Sequence, residues 1–147
     1  MAVAARGMAD EAAASSIKLT FAAPHYAYFA EANVAQVNVP GLTGDFGILP
    51  AHVPVMSCLK PGVVAVFDAV GGVSQDFFVS SGTVTVNEDS SVQIIAEEAV
   101  PVGDLDAAAA KSGLDYYSGR LNSGSEADKA EAAIGVEVHE AMIKALA

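Results

Sequence analysis

Cations are scarce in this chain: seven lysines and arginines stand against 18 aspartates and glutamates, a formal net charge of −11 over 147 residues. An acidic excess of this size repels phosphate backbones and anionic lipid headgroups, which argues against nucleic-acid binding. A single cysteine, Cys58, leaves no partner for an internal disulfide and suits a reducing compartment. It sits in the apolar run "VPVMSCL", which predicts a packed thiol rather than a reactive one. Long hydrophobic runs are missing as well. Glycine, proline or a polar residue interrupts each candidate before about 18 residues, so no segment is expected to cross a bilayer.

What is present is a large apolar fraction, 52% of residues against 17% charged, enough for a substantial core in a chain of this length. Residues 1–16, "MAVAARGMADEAAASS", are alanine-rich with one arginine and predict a flexible tail or the remnant of an organelle presequence. Asp10 and Glu11 count against a full transit peptide. From Ile17 to Ala99 short β-rich segments alternate with turn signals at Pro24, Pro40-Gly41, Lys60-Pro61-Gly62 and Asp68 to Gly72. In "TVTV" and "VQIIA", Val84, Val86, Val92, Ile94 and Ala96 alternate as strands with one buried face require. Nine or ten such strands with no helix between them predict a β-sandwich or flattened barrel over 17–101.

After Pro101 alanine, glutamate and lysine replace the β-branched residues, and the apolar period lengthens towards four. Two helices are predicted over 102–147, in an α+β chain. Asp104 is the expected cap of the first, "LDAAAAKSGLDYYSGRL", and Ser125 with Asp128 the cap of the second. The second helix carries an apolar stripe of Ala127, Ala130, Ile134, Val138, Met142 and Leu146, and that face is expected to be covered. Alanine buries so little area that the antiparallel pair needs a further surface.

No catalytic constellation emerges. Asp45-Phe46-Gly47 matches the metal-holding triplet of protein kinases, but the glycine-rich loop, strand lysine and catalytic loop that must accompany it are missing. A turn residue, Asp45, and an apolar plug, Phe46, between two glycines explain "GDFG" better. His25, His52 and His139 share no metal-ligand spacing, so neither a metal nor a cofactor is expected. "VSSGTV" lacks the strand-turn-helix setting of a serine nucleophile, and "AVGGVS" reads as a hairpin turn rather than a phosphate cradle. His52, between Pro50 and Pro54, is the polar side chain most deliberately placed, with a hydrogen bond inside its own loop as the expected role.

The ordered strings "VPGLTGDFGILPAHVPVMSCLKPGVV" and "FFVSSGTVTVNEDSSVQIIAEEAV", followed by an alanine-rich helical pair, resemble the delta/epsilon subunit family of the F-type ATP synthases. The likeness runs from about Ile17 to the C-terminus, and "SSG" and "AEEAV" sit closer to the mitochondrial delta branch than to the bacterial epsilon branch. The resemblance implies a ten-stranded β-sandwich with a C-terminal antiparallel two-helix hairpin and no chemistry of its own. It implies a place in the rotating central stalk, on the matrix side of the mitochondrial inner membrane, peripheral to it. The partners implied are the gamma subunit, the small mitochondrial epsilon subunit and the loops of the c ring. Gly44 to Val55 matches the loop that faces the ring, where Asp45 aligns with an acidic residue and His52 with the histidine of a Gly-His-x-Pro motif. Ala51 replaces that motif's glycine. Some bacterial relatives bind ATP in the hairpin through a motif like Leu-Asp-x-x-Arg-Ala. Here Leu105-Asp106 is followed by Ala109 where the arginine would stand, which disfavours the alternative of a nucleotide-sensing regulator.

Overall fold

A computed structural model describes residues 16–69 and 71–147; apart from Ser16, the expected N-terminal tail lies outside the described residues. Among the described residues are ten strands: β1 (Ile17–Ala23), β2 (Tyr26–Val34), β3 (Gln36–Gly41), β4 (Gly44–Ile48), β5 (Val55–Leu59), β6 (Gly62–Phe67), β7 (Ser74–Val79), β8 (Gly82–Val86), β9 (Ser91–Ala96) and β10 (Ala99–Pro101). A single 3-10 turn at Val102–Asp104 leads into α1 (Ala107–Ser118) and α2 (Glu126–Leu146).

The strands form where apolar residues recur every second position. In β1, Ile17, Leu19, Phe21 and Ala23 turn inward, and in β8 and β9 the five alternating residues named above do the same. Hydrogen bonding runs in the order β10-β7-β6-β3-β5-β8-β9-β1-β2, with β4 paired to β3, so one sheet curls over into two layers. β1 lies parallel to β9, and the other described pairings are antiparallel. The two ends of this path meet through side chains. The Tyr28 hydroxyl on β2 donates to the Ala99 carbonyl at the start of β10, at 2.7 Å, and Phe21 packs its ring 5.3 Å from that of Phe77. Burial, then the nearby Asp104 carboxylate and Tyr26, hold the Tyr28 hydroxyl above its usual pKa.

Between the layers, Ile17, Leu19, Phe21, Ile48 and Ile94 are fully enclosed. Each such side chain contributes about 1.5–3 kcal/mol through burial, and together they make the sandwich the stable part of the chain.

Four local expectations are corrected. Asp45 is not in a turn: Gly44–Ile48 is a strand in register with β3, and the turn is Leu42–Thr43, although Phe46 does pack against the core as a plug. Pro40 lies inside β3 rather than ending it. Cys58 is exposed, because β5 alternates and directs Leu59 inward but Met56 and Cys58 outward. Asp104 belongs to the 3-10 turn, and the cap of α1 is Asp106, whose carboxylate accepts the N–H groups of Ala108 and Ala109 at 2.9 and 3.2 Å.

At α2 the expected cap is present. The Ser125 hydroxyl accepts the Asp128 N–H and the Asp128 carboxylate accepts the Ser125 N–H, a reciprocal capping box. Those bonds, from the Ser125 amide first and its hydroxyl second, hold the Asp128 carboxyl below its usual pKa. The covered face of α2 agrees with the expected stripe at Val138, Met142 and Leu146, which are half-buried, and departs from it at Ala127, Ala130 and Ile134, which are exposed. Ala132 and Gly135 are buried while Ile134 is 63% exposed. The helices meet through notches: a Cβ on Gly113 of α1 would strike the His139 imidazole, and one on Gly135 of α2 the Tyr117 ring. The two rings lie 5.4 Å apart, and His139 Nδ1 donates to the Gly135 carbonyl at 2.6 Å.

Candidate functional site

The segment Gly44 to Val55 runs out along β4 and returns to β5 through a loop at Leu49 to Pro54. Asp45 stands opposite Pro40 in the β3–β4 ladder. Its carboxylate is 70% exposed and lies 3.4 Å from the Lys60 ammonium in the β5–β6 turn. An ion pair this open contributes about 1 kcal/mol at most, so the carboxylate remains available to another cation. Lys60 escaped the sequence reading; the signal was its turn, whose amide donates to the Pro40 carbonyl directly across from Asp45. Asp45 and Lys60, with Pro40 and Pro61, line one wall of a hollow of about 500 Å³, and Glu137, Glu140 and Lys144 of α2 line the other.

His52 occupies a different place. Its Nδ1 donates to the neighbouring Val53 carbonyl at 2.7 Å, its amide donates to the Leu49 carbonyl at 3.2 Å, and its ring lies 6.3 Å from Phe46. The bond within the loop is the one expected from the sequence. Successive side chains of a strand point to opposite faces, so Phe46, beside His52, and Asp45 project from opposite sides of β4. The two candidate residues therefore do not converge. The loop itself is tied down where the Ala51 amide donates to the Ser90 hydroxyl of the β8–β9 turn at 3.0 Å. Ala51 and Ser90 both adopt left-handed backbone, at φ of 63° and 64°. At position 51 this conformation favours glycine, which is the physical sense of the motif from which the chain departs.

His52 lines a shallow groove with Leu42, Phe46, Val53, Met56 and Cys58. No charged residue lines it, and Leu42, Val53 and Met56 are exposed. The sequence reading missed this apolar rim, although the outward positions of an alternating β5 held the signal.

A second groove, of about 400 Å³, lies between the helix pair and the sandwich. Phe78, Val138 and Met142 form its apolar floor, while Glu98, Asp104 and Asp106 surround it with no lysine or arginine among its lining residues. Three carboxylates and no cation make a poor seat for a polyphosphate. Among the described residues no three His, Cys, Asp or Glu side chains gather in a metal-holding group, and no helix is long and apolar enough to cross a membrane.

A family model for the ATP synthase delta/epsilon chain β-sandwich domain matches residues 16–102. This chain belongs to the ATP synthase delta/epsilon family. Similar proteins include the mitochondrial ATP synthase delta subunits of Caenorhabditis elegans and Saccharomyces cerevisiae. The first is 48% identical over 97% of this chain and 90% of its own length, the second 42% identical over 94% and 86%. The fold matches a chain in the Euglena gracilis mitochondrial ATP synthase, in an OSCP, F1 and c-ring assembly, with a TM-score of 0.84 and 26% identity over 90% of this chain and 82% of that one. A chain from the Tetrahymena thermophila central stalk and c-ring structure shares the fold at a TM-score of 0.69 and 18% identity, over 89% of this chain and 96% of that one. These likenesses take in the helix pair as well as the sandwich.

Proposed function

We propose that this chain is a non-catalytic subunit of the central stalk of a proton-translocating F-type ATP synthase, joining the gamma subunit to the c ring and transmitting torque for ATP synthesis. The observation that carries the reading is the 48% identity to a mitochondrial delta subunit across 97% of the chain. That identity supports a location on the matrix side of the mitochondrial inner membrane, peripheral to it, and on this reading the small epsilon subunit is a further neighbour. The physical character of the fold supports that duty. Torque passes without loss through a body that resists deformation, and a curled ten-stranded sheet around a close-packed core is such a body.

On this reading Gly44 to Val55 is the ring-facing surface. Asp45, exposed and only weakly held by Lys60, offers charge to a basic group on a c-ring loop. His52 acts through the loop, fixing its shape by the bond to Val53. The alternative of a nucleotide-sensing hairpin has little support: the groove where α1 begins is lined by carboxylates, and Ala109 lines it without a cation.

Native electrophoresis of gently solubilised mitochondrial membranes tests the assignment. The chain should co-migrate with the whole synthase and stay with gamma and the c ring after the catalytic head is stripped away. Migration apart from both would overturn the reading. Calorimetric titration of the isolated chain with ATP should show no sub-millimolar binding, and heat of binding in that range would revive the regulator.

A further inference from the structure

A sheet of this order leaves edges open. The hydrogen-bonded path ends at β10 and at β2, and among the described pairings β4 has a neighbour on one side alone, β3. Two of these edges are short. β10 has three residues and finishes on Pro101, and β4 has five, among them Gly44, Gly47 and the exposed Asp45. β2 is the long one. Its nine residues, "YAYFAEANV", hold three aromatic rings and one charge, Glu31. A long apolar edge strand is a template on which another chain can pair.

Glu31 stands at a strained point of this edge. The β1–β2 register breaks twice: two steps along β1, from Leu19 to Phe21, take three along β2, from Ala32 to Phe29, and the next single step, to Ala22, takes two, to Ala27. Each break is a β-bulge. The second has an internal use, since it brings Tyr28 to the Ala99 carbonyl and sets its ring 4.8 Å from that of Phe77. The first has no such use. It puts Ala30 and Glu31, both exposed, across from Thr20, with Glu31 in left-handed backbone at φ 51° and its amide turned to the Thr20 hydroxyl of β1 at 3.3 Å.

Glycine is the residue that adopts such a bulge without strain. The glutamate found there instead makes no side-chain hydrogen bond or ion pair among the described residues, so what it supplies is a charge on the edge. That charge is isolated along the chain as well: between Lys18 and Asp45 it is the only Asp, Glu, Lys or Arg. A second β2 laid along the first would bury Glu31 against a strand with no cation to pair with it. It would also meet a ladder interrupted where the Glu31 amide faces β1.

We propose that Glu31, held out by the bulge, guards the β2 edge against a second copy of this chain, so that the free chain stays monomeric. The guard is independent of the stalk reading, because it concerns the chain before it meets any partner.

Sedimentation velocity of the isolated full chain at rising concentration tests this with three variants. Glu31→Gly keeps the bulge and removes the charge. It should melt no lower than the native chain yet shift from monomer to dimer and larger species, with amide hydrogen exchange slowed within Tyr26–Ala30 as it associates. Glu31→Lys restores a charge that the facing strand again cannot pair, and it should sediment as a monomer. Glu88→Gln, in the exposed β8–β9 turn, loses the same single charge as Glu31→Gly and should also stay monomeric. A monomeric Glu31→Gly, a dimeric Glu31→Lys or Glu88→Gln, a native chain that itself pairs through β2, or slowed exchange confined to other segments would overturn the guard. So would a Glu31→Gly chain that melts earlier than the native one, since its association would then follow from lost structure rather than from an opened edge.

Discussion

In the sandwich, the side chains removed from water are Ile17, Leu19, Phe21, Ile48, Ile94 and a set of valines; in the helix pair they are Ala110 and Ala132, with Gly135 against the Tyr117 ring. The first part draws its stability from area, the second from fit. Large β-branched and aromatic groups each remove enough apolar surface to hold a layer in place. Alanine and glycine remove almost none, and their use lies in letting Tyr117 and His139 approach the opposing backbone. One part should therefore survive alone, and the other should depend on what it touches.

The sharpest test of the difference is a deep truncation in the core. Phe21 is fully buried, with the rings of Tyr28 and Phe77 at 5.5 and 5.3 Å. Phe21→Ala should cost about 3–5 kcal/mol in urea unfolding of the full chain. A loss below about 1 kcal/mol would mean that the sandwich is not the stable part.

Next in size is removal of the helix pair. We expect a chain ending at Val102 to keep a cooperative β-sheet transition, lowered by about 1.5–3 kcal/mol because Phe78 becomes exposed. Loss of β-sheet circular dichroism at room temperature would show that the two parts share one core, and the division at residues 101 and 102 would fail.

Gly135→Ala follows. Its methyl group meets the Tyr117 ring, an overpacking that costs about 1–3 kcal/mol, and the better helix propensity of alanine returns about 1. The helical signal should melt earlier while the sheet transition stays in place. A helix pair made more stable would show that area, not fit, governs it after all.

The smallest effect is expected at Ala51→Gly. Left-handed backbone costs an L-residue about 1–2 kcal/mol, and glycine gives back about 0.4–1 in the freedom of the unfolded chain. The melting temperature should rise slightly, and a fall would mean that φ at this loop is not a source of strain.

The same contrast decides what could be read from the sequence. Strands announce themselves through alternation of large side chains, so β8 and β9 were legible and nine or ten strands could be counted from the residues, while the count of ten was what the family resemblance implied. Legibility failed where burial does not follow hydropathy. Cys58 and Met56 look buried in an apolar run, yet the two-residue period turns them outward. On α2 the stripe was right at Val138 and Met142, which face the sandwich, and wrong at Ile134, because a glycine that admits a ring carries no hydrophobic weight in a periodicity. Asp104 and Asp106 are chemically equal candidates for a cap, and the choice between them lies in the 3-10 turn that uses the first. At the candidate site, Asp45 and His52 share one segment of the sequence, but only the structure shows that they face opposite sides of β4 and that Lys60 lies against Asp45.

The central claim is that the chain couples rotation to catalysis without taking part in the chemistry, and Asp45→Lys tests it most directly. Lysine at this position opposes Lys60 and any basic group of the c-ring loop, and such a like-charge contact disfavours docking more than a lost attraction does. Asp45→Ala, which merely removes a weak pair, should leave assembly intact. In reconstituted complexes, ATP-driven proton pumping is compared with ATP hydrolysis by the detached catalytic head. The account predicts that Asp45→Lys lowers pumping and leaves hydrolysis by the head unchanged. Loss of hydrolysis in the detached head would contradict it, because the segment would then be acting in catalysis itself.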